Sequence, residues 1–378
     1  MNLEAPNGYS YDPSEPAFSG DDQKKVEKVV TLYDYGRRRL ADFFNRQMLC
    51  LEFLQDRQWS DAELEIFRKD KRAPLTLNVM STIVSGVEGL MRLAKSDIIV
   101  KPGGPGIDIK MADTTKKLLD AWGYDNEIDN LNSLIFFGGL TGLDSWHVYI
   151  DDEPGSGGYY KRVVVERPEF VSVGYDPDFT DPGLKDMRWQ YRLKYYRAEE
   201  IIARWPKTGR LSFDKNEYEE WWMEVQSGRA FKNFHDSFQQ PLVDREGGTF
   251  AVIELYEAAV KKSISIVNAQ LQPMGEIELG KSSIETIRKN LPPGYYALEN
   301  DVKVKRRTTV MPYQFQVLDE SEEEMEYWPY TPFASKHKGC KLSQASSYVF
   351  SLIGPQRARN IDATNQREFV TRTIRGAW

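Results

Sequence analysis

The side chains able to do chemistry fall into four groups. The first is a set of carboxylates, Asp176, Asp178, Asp181 and Asp186, around two Asp-Pro pairs. Several carboxylates in one loop could hold Ca²⁺, but the spacing is not that of an EF-hand, and Asx turns account for Asp-Pro pairs without an ion. The second is an acidic run, Asp319-Glu320-Ser321-Glu322-Glu323-Glu324-Met325-Glu326. It reads either as a solvated loop tip or as a surface that repels DNA or docks a basic partner. The third is a series of arginines, Arg357, Arg359, Arg367, Arg372 and Arg375, spread along a helical segment near the C-terminus. Guanidinium groups suit phosphates or a neighbour's carboxylates. The fourth is Arg37-Arg38-Arg39, which could meet phosphates or an acidic surface of another chain, or simply face solvent.

A reaction centre is not visible among them. Two carboxyl groups about 5–10 Å apart could hydrolyse a glycoside, but no pattern here sets an acid beside a base. There is no Gly-x-Ser-x-Gly elbow and no kinase signature. The stretch Pro102-Gly103-Gly104-Pro105-Gly106 lacks the Lys-Ser or Lys-Thr of a phosphate-binding loop. His147, His235 and His337 are scattered, without metal-ligand spacing. Cys50 and Cys340 form neither a CxxC pair nor a disulfide framework, so a reducing compartment is the default. No metal, no cofactor and no enzymatic activity are expected.

Composition narrows the class. Residues that are 40% hydrophobic and 28% charged fit a folded chain rather than a disordered one, and 378 residues leave room for two or more domains. A net charge of −7 argues against a sequence-specific DNA binder, because phosphate neutralisation supplies most non-specific affinity. It does not exclude a protein that lets DNA slide past. No apolar run reaches the ~18 residues of a membrane span, and the N-terminus lacks the basic region and apolar core of a secretory signal.

The elements follow from periodicity. Residues 1–20 read as a flexible arm. A helix runs from about Asp22 to Trp59. Pro74 fixes its own φ and pushes Ala73 out of the helical region, and Thr76 or Asn78 can cap the next helix. In that helix Leu77, Val79, Met80, Ile83, Val84, Val87, Leu90, Met91 and Leu93 cover more than one stripe. This predicts a mostly buried helix, with Gly86 and Gly89 allowing close approach of another backbone. Helices are predicted over 109–122 and 126–137, the latter closed by Gly138-Gly139 in a positive-φ cap. Strands follow at 143–151, 159–166, 170–175 and 189–194, with a hairpin turn over 151–158 and a short helix at 198–205. A helix is predicted for 217–236. Strands at 249–260, 263–267, 302–310 and 314–318, with a helix at 284–289, suggest a small α/β module at 249–335. Helix returns from about Gln344 to Arg375.

The order of these signals resembles a bacteriophage portal protein of the P22-like podovirus type. The resemblance rests on Gln58-Trp59 followed by Arg72-Ala73-Pro74-Leu75-Thr76-Leu77-Asn78, and on Gly86 and Arg92 before Ile98-Ile99-Val100-Lys101-Pro102. It continues through Phe136-Phe137-Gly138-Gly139-Leu140-Thr141-Gly142, Arg167-Pro168-Glu169-Phe170, Asp176-Pro177, Asp186 and Trp189. It ends on Glu254-Leu255-Tyr256 and Gly354-Pro355-Gln356-Arg357-Ala358-Arg359-Asn360.

The resemblance implies an α+β portal fold with helical stem, mixed α/β wing and small α/β clip. Residues 21–248 would be wing and first stem region, 249–335 the clip, and 336–378 a stem helix region, with the further wing or crown helix of relatives absent, truncated or carried elsewhere. It implies a homo-oligomeric ring, a dodecamer, at one capsid vertex of the virion, assembled in the host cytoplasm. Double-stranded DNA would pass through without sequence specificity, driven in by the terminase large subunit and released at ejection. Tail adaptor proteins would dock on the clip, and capsid and scaffolding proteins would surround the ring. No membrane is involved. On this reading Arg357, Arg359, Arg367 and Arg372 are the candidates to face the DNA channel or pair with a neighbour. Glu322, Glu323, Glu324 and Trp328 are the candidates for partner docking. The competing readings are another head–tail connector or adaptor, and a carboxylate-dependent hydrolase.

Overall fold

The computed structural model describes residues 20–94, 99–101, 109–152, 160–206, 243–244, 249–268, 273–278, 291–292, 295–312, 316–323, 327–337 and 341–376. It opens with helices α1 (Gly20–Leu54), α2 (Asp61–Lys69), α3 (Val79–Leu93), α4 (Ile109–Asp125) and α5 (Ile128–Thr141). Strands β1 (Leu143–Asp152), β2 (Lys161–Glu166), β3 (Val173–Tyr175) and β4 (Trp189–Arg197) precede helix α6 (Ala198–Arg204). Strands β5 (Val243–Asp244), β6 (Thr249–Asn268), β7 (Pro273–Glu278), β8 (Tyr295–Met311), β9 (Gln316–Glu323) and β10 (Tyr330–Ala334) lead to helix α7 (Tyr348–Gly376). The class is α+β, as expected. The arm up to residue 19, the turns over 102–106 and 153–158, and the helices expected at 217–236 and 284–289 lie outside the described residues.

The chain divides into two compact units, Met1–Arg38 with Ser172–Trp328, and Arg39–Val171 with Pro329–Trp378. The first is organised by an antiparallel sheet in the order β3-β4-β6-β8-β9, with β5 and β7 also paired to β6. Period-2 alternation sends Trp189, Tyr191 and Leu193 of β4 to one face. There they pack with Val26, Val29, Val30 and Tyr33 of α1 and with Val252, Ile253 and Leu255. Gly36 is required at this contact, because a Cβ would stand 2.8 Å from the Trp189 ring. The two strands expected at 249–260 and 263–267 are one 20-residue strand, since β8 pairs with β6 without a break from Ile253 to Asn268. The same sheet crosses position 249, where β6 begins beside β4.

The acidic run is not a loop tip over its described part. Asp319 to Glu323 belong to β9, where Glu322 stands opposite Arg306 and Glu323 opposite Lys305. Opposite charges across a strand pair stabilise it, and the basic stretch of β8 supplies them.

The second unit holds a three-stranded antiparallel sheet, β10-β1-β2, against α5. His147 of β1 stacks between Tyr149 and Tyr330 at centroid distances of 4.7 and 4.4 Å, with Nδ1 2.8 Å from Glu166 Oε1. The glycine cap predicted at 138–139 is corrected. Helix α5 runs through both glycines to Thr141. Their lack of a side chain serves packing instead, since a Cβ at Gly138 would overlap Asp144 at 1.8 Å and one at Gly139 the Phe333 ring at 2.1 Å. Asp144 is buried and receives Arg167 Nε at 2.8 Å. Burial raises its pKa more than the guanidinium lowers it. A separate apolar core joins Cys50 and Phe53 of α1, Met80 and Val84 of α3, Leu140 of α5, and Val349 and Ile353 of α7.

Candidate functional site

In the second unit the two sequence stretches with the densest signature residues meet. The segment before α3 is extended, so its amides need partners outside any helix or sheet. Helix α7 supplies them through one stripe of polar side chains. Thr364 Oγ1 accepts from the Leu75 amide at 3.0 Å, Asn360 Oδ1 from the Leu77 amide at 3.0 Å, and Gln356 Oε1 from the Met80 amide at 3.1 Å. The match is one of pitch. Two extended residues advance about 6.6 Å and one four-residue helical step about 6 Å, so Leu75 and Leu77 stay level with Thr364 and Asn360.

Gln58 closes the network from the loop after α1. Its Oε1 accepts from Gln356 Nε2 at 3.1 Å and from Asn360 Nδ2 at 2.5 Å, and its Nε2 donates to the Phe53 carbonyl at 2.8 Å. Gln356 Nε2 also donates to the Leu77 carbonyl at 2.6 Å. Gln58, Gln356, Asn360 and Thr364 are all buried, and buried amides satisfied on both ends favour one arrangement over its neighbours. Asn78 caps α3 by accepting from the Ser81 amide, and its Nδ2 holds the end of α1 through the carbonyls of Phe53 and Leu54. The cap read from the sequence is therefore present.

Around this clasp the charges pair locally. Helix α2, not expected from the sequence, begins with a capping box between Ser60 and Glu63. The Ser-x-x-Glu spacing that signals it was legible. Partial burial would raise the Glu63 pKa, but hydrogen bonds from Ser60 and the charge of Arg357 outweigh it, and the carboxyl titrates below its usual range. Of the four candidate channel arginines, Arg357 pairs with Glu63 and Arg372 with Glu368, which also receives Arg72. Arg359 and Arg367 are exposed and have no ion pair among the described residues.

The reading of α3 as mostly buried is corrected. Only Met80 and Val84 are buried. A second stripe, Val79-Ile83-Gly86-Leu90-Leu93, faces outward, with Leu90 67% and Leu93 81% exposed. A Cβ at Gly86 or Gly89 would meet nothing within 4 Å. Between α3 and α7 lies a groove of about 570 Å³, lined among others by Leu77, Val79, Ile83, Leu352, Pro355 and Arg359.

The partner-docking candidates are placed differently. Trp328 is buried, its Nε1 donates to the Leu184 carbonyl at 3.1 Å, and Lys305 Nζ lies 3.7 Å from its ring centroid. Glu322 pairs with Arg306 at 2.9 Å. Glu323 is a register partner of Lys305 in β9, and Glu324 lies outside the described residues. In the Asp-Pro loop, Asp176 is taken by Arg188 at 2.5 Å, Asp186 accepts from the amides of Thr180 and Asp181, and Asp181 accepts from the Gly183 amide. These are turn bonds rather than ligands held for an ion. Among the described residues no group of three or more His, Cys, Asp or Glu side chains could hold a metal ion, and no helix is long and apolar enough to cross a membrane.

A family model described as phage P22-like portal protein covers residues 30–376. No curated protein matches the chain.

Proposed function

We infer the function from one premise, that this chain belongs to the phage P22-like portal protein family. On that premise it is a structural subunit of a phage particle, and we read it as one wedge of a ring, a dodecamer, at a single capsid vertex. Double-stranded DNA enters through the ring under the terminase large subunit and leaves through it at ejection. Tail adaptor proteins dock on its outer end, and capsid and scaffolding proteins enclose it. It assembles in the host cytoplasm and ends in the virion.

The observation that carries this reading is the extent of the match, residues 30–376, which takes in parts of both compact units. The chemistry is consistent with it. A channel for duplex must not hold what it passes, and a net charge of −7 suits that requirement. We assign DNA contact to Arg359 and Arg367 rather than to Arg357 and Arg372, whose charges are answered within the chain. The 249–335 segment carries the clip. Within it, tail docking falls to the part of the β6–β8 ribbon beyond the β4 pairing, where Val260, Tyr296 and Leu298 are exposed.

Images of the purified protein test this reading directly. Rings with a central opening about as wide as a DNA duplex are expected. Solitary protomers at all concentrations would overturn it. Replacing Arg359 and Arg367 together by Ala should change the salt dependence of packaging, whereas Arg372→Ala should not.

A further inference from the structure

Strand β8 carries a dense basic stretch, Lys303, Lys305, Arg306 and Arg307. The two arginines are answered within the sheet, Arg306 by Glu322 at 2.9 Å and Arg307 by Asp319 at 2.9 Å. The side chains of Lys303 and Lys305 make no ion pair or hydrogen bond among the described residues. Lys303 is exposed. Lys305 is only 8% exposed. Although Glu323 is its register partner, its ammonium turns to the Trp328 ring, 3.7 Å from the centroid. Burial lowers the Lys305 pKa, and the charge of Lys303 adds to the effect. An aromatic face answers a buried cation only in part. A charge taken out of water is costly until an anion meets it.

The sheet sets these lysines in a definite neighbourhood. Side chains alternate across a strand, so Lys303 and Lys305 share one face of β8. Across the ladder they stand opposite Val260 and Ala258 of β6, both exposed, Val260 at 64%. On the other side the same face continues onto β9 at Ser321, opposite Arg307. The Ser321 hydroxyl is buried and has no hydrogen-bond partner among the described residues. Trp328, hung by its Nε1 from the Leu184 carbonyl, roofs the inner lysine. The described carboxylates of β9 are engaged elsewhere, Asp319 by Arg307, Glu320 by Lys25 and Glu322 by Arg306. The face thus offers an exposed cation, a covered cation and an unused hydroxyl beside a small apolar strip, and the anion that suits it has to arrive from outside.

We propose that this face of the β6–β8 ribbon, at Lys303, Lys305, Ala258 and Val260, is the acceptor for an acidic and apolar segment of the tail adaptor. A partner carboxylate meets Lys303 at the surface and draws the Lys305 ammonium out along its flexible stem. The partner's adjoining apolar side chain lies over Val260 and Ala258. Charge complementarity of this kind sets which partner docks and how fast it arrives. The inference rests on the docking reading above and gives it a polarity, with the docking charge on this chain positive and supplied by β8 rather than by the described acidic residues of β9.

Binding of a short fluorescein-labelled peptide of Glu and Leu to the purified full chain, followed by fluorescence anisotropy, tests the chemistry. Lys303→Glu, at an exposed position, should weaken binding by about tenfold or more. Lys305→Met, which keeps the packing under Trp328 and removes the charge, should weaken it by a similar factor. Unchanged binding by both variants would overturn the site, as would equal binding of a peptide with Lys in place of Glu. Displacement of the peptide by an equal concentration of inorganic phosphate would make this a small-anion site and overturn the docking role. In particles, Lys303→Glu should give DNA-filled heads that lack tails. Tailed particles at the wild-type yield would overturn this face while leaving the ring reading in place. A wild-type chain that never forms rings would overturn the reading on which the face depends.

Discussion

Asn360 of α7 donates a 2.5 Å hydrogen bond to Gln58 in the loop after α1, across 302 positions of sequence and with both side chains buried. It also accepts from the Leu77 amide, so one side chain ties three segments together. Asn360→Ala should strand the Leu77 amide and one lone pair of Gln58 inside the unit. A loss of about 1–3 kcal/mol is expected per group left unsatisfied, read from denaturant unfolding. Gln58→Ala in the same background should cost less than it does alone, because both truncations remove the same bond.

Gly139→Ala should be more damaging than its chemistry suggests. The new methyl would lie about 2.1 Å from the Phe333 ring on β10, and the ring is already in contact with Phe136 and Trp146. Overpacking of this kind costs about 1–3 kcal/mol. The replacement Gly86→Ala meets no atom of the chain. It should raise protomer stability slightly through helix propensity, and the contrast between the two glycines would show in thermal melts.

The pH response of the α2 end has a definite sign. The folded carboxyl of Glu63 titrates below its unfolded value, so its bonds to Ser60 and Arg357 contribute fully above the unfolded pKa of about 4.3. That contribution is lost as pH falls through the lower folded value. The stability gap between wild type and Glu63→Gln should therefore be constant from neutral pH to about pH 5 and vanish in more acid solution. Thermal melts across that range would check it.

Cys50 is buried, and burial pushes its thiol up to about 11, only partly offset by the Ser347 hydroxyl. The reactive thiolate is therefore scarce at pH 8. An aromatic disulfide reagent should leave Cys50 unmodified in the native protein and react fast once the protein is unfolded. Rapid native labelling of this residue would contradict the packing around α1.

Much of this was legible in the sequence, and the failures have physical causes. Period and caps located α1, α3, β1, β4 and α7 because each carries a local signal, such as Asn78 at the start of α3. The charged run of β9 looked like a solvated loop because its partners, Arg306 and Arg307, lie on another strand. Gly138 and Gly139 were legible as important but not for the right reason, since their neighbours Asp144 and Phe333 are a matter of tertiary packing. The two stripes of α3 were visible as apolar residues. Which stripe turns inward is decided by packing against α1, α5 and α7, the last more than 270 positions away. The stretches around Gln58 and Gln356 were both recognisable, and nothing local says that they touch.

The clasp between α7 and the Leu75–Met80 segment has a cost in time. Its halves are separated by 276 to 289 residues, and ribosomes add roughly 5–20 residues per second. The amides of Leu75, Leu77 and Met80 therefore wait on the order of tens of seconds in the nascent protein before Gln356, Asn360 and Thr364 emerge. Through that interval the inner stripe of α3 lacks the part of its cover that Val349 and Ile353 of α7 supply. A chaperone that shields this helix during synthesis would have its largest effect on yield there, and little effect on the finished subunit.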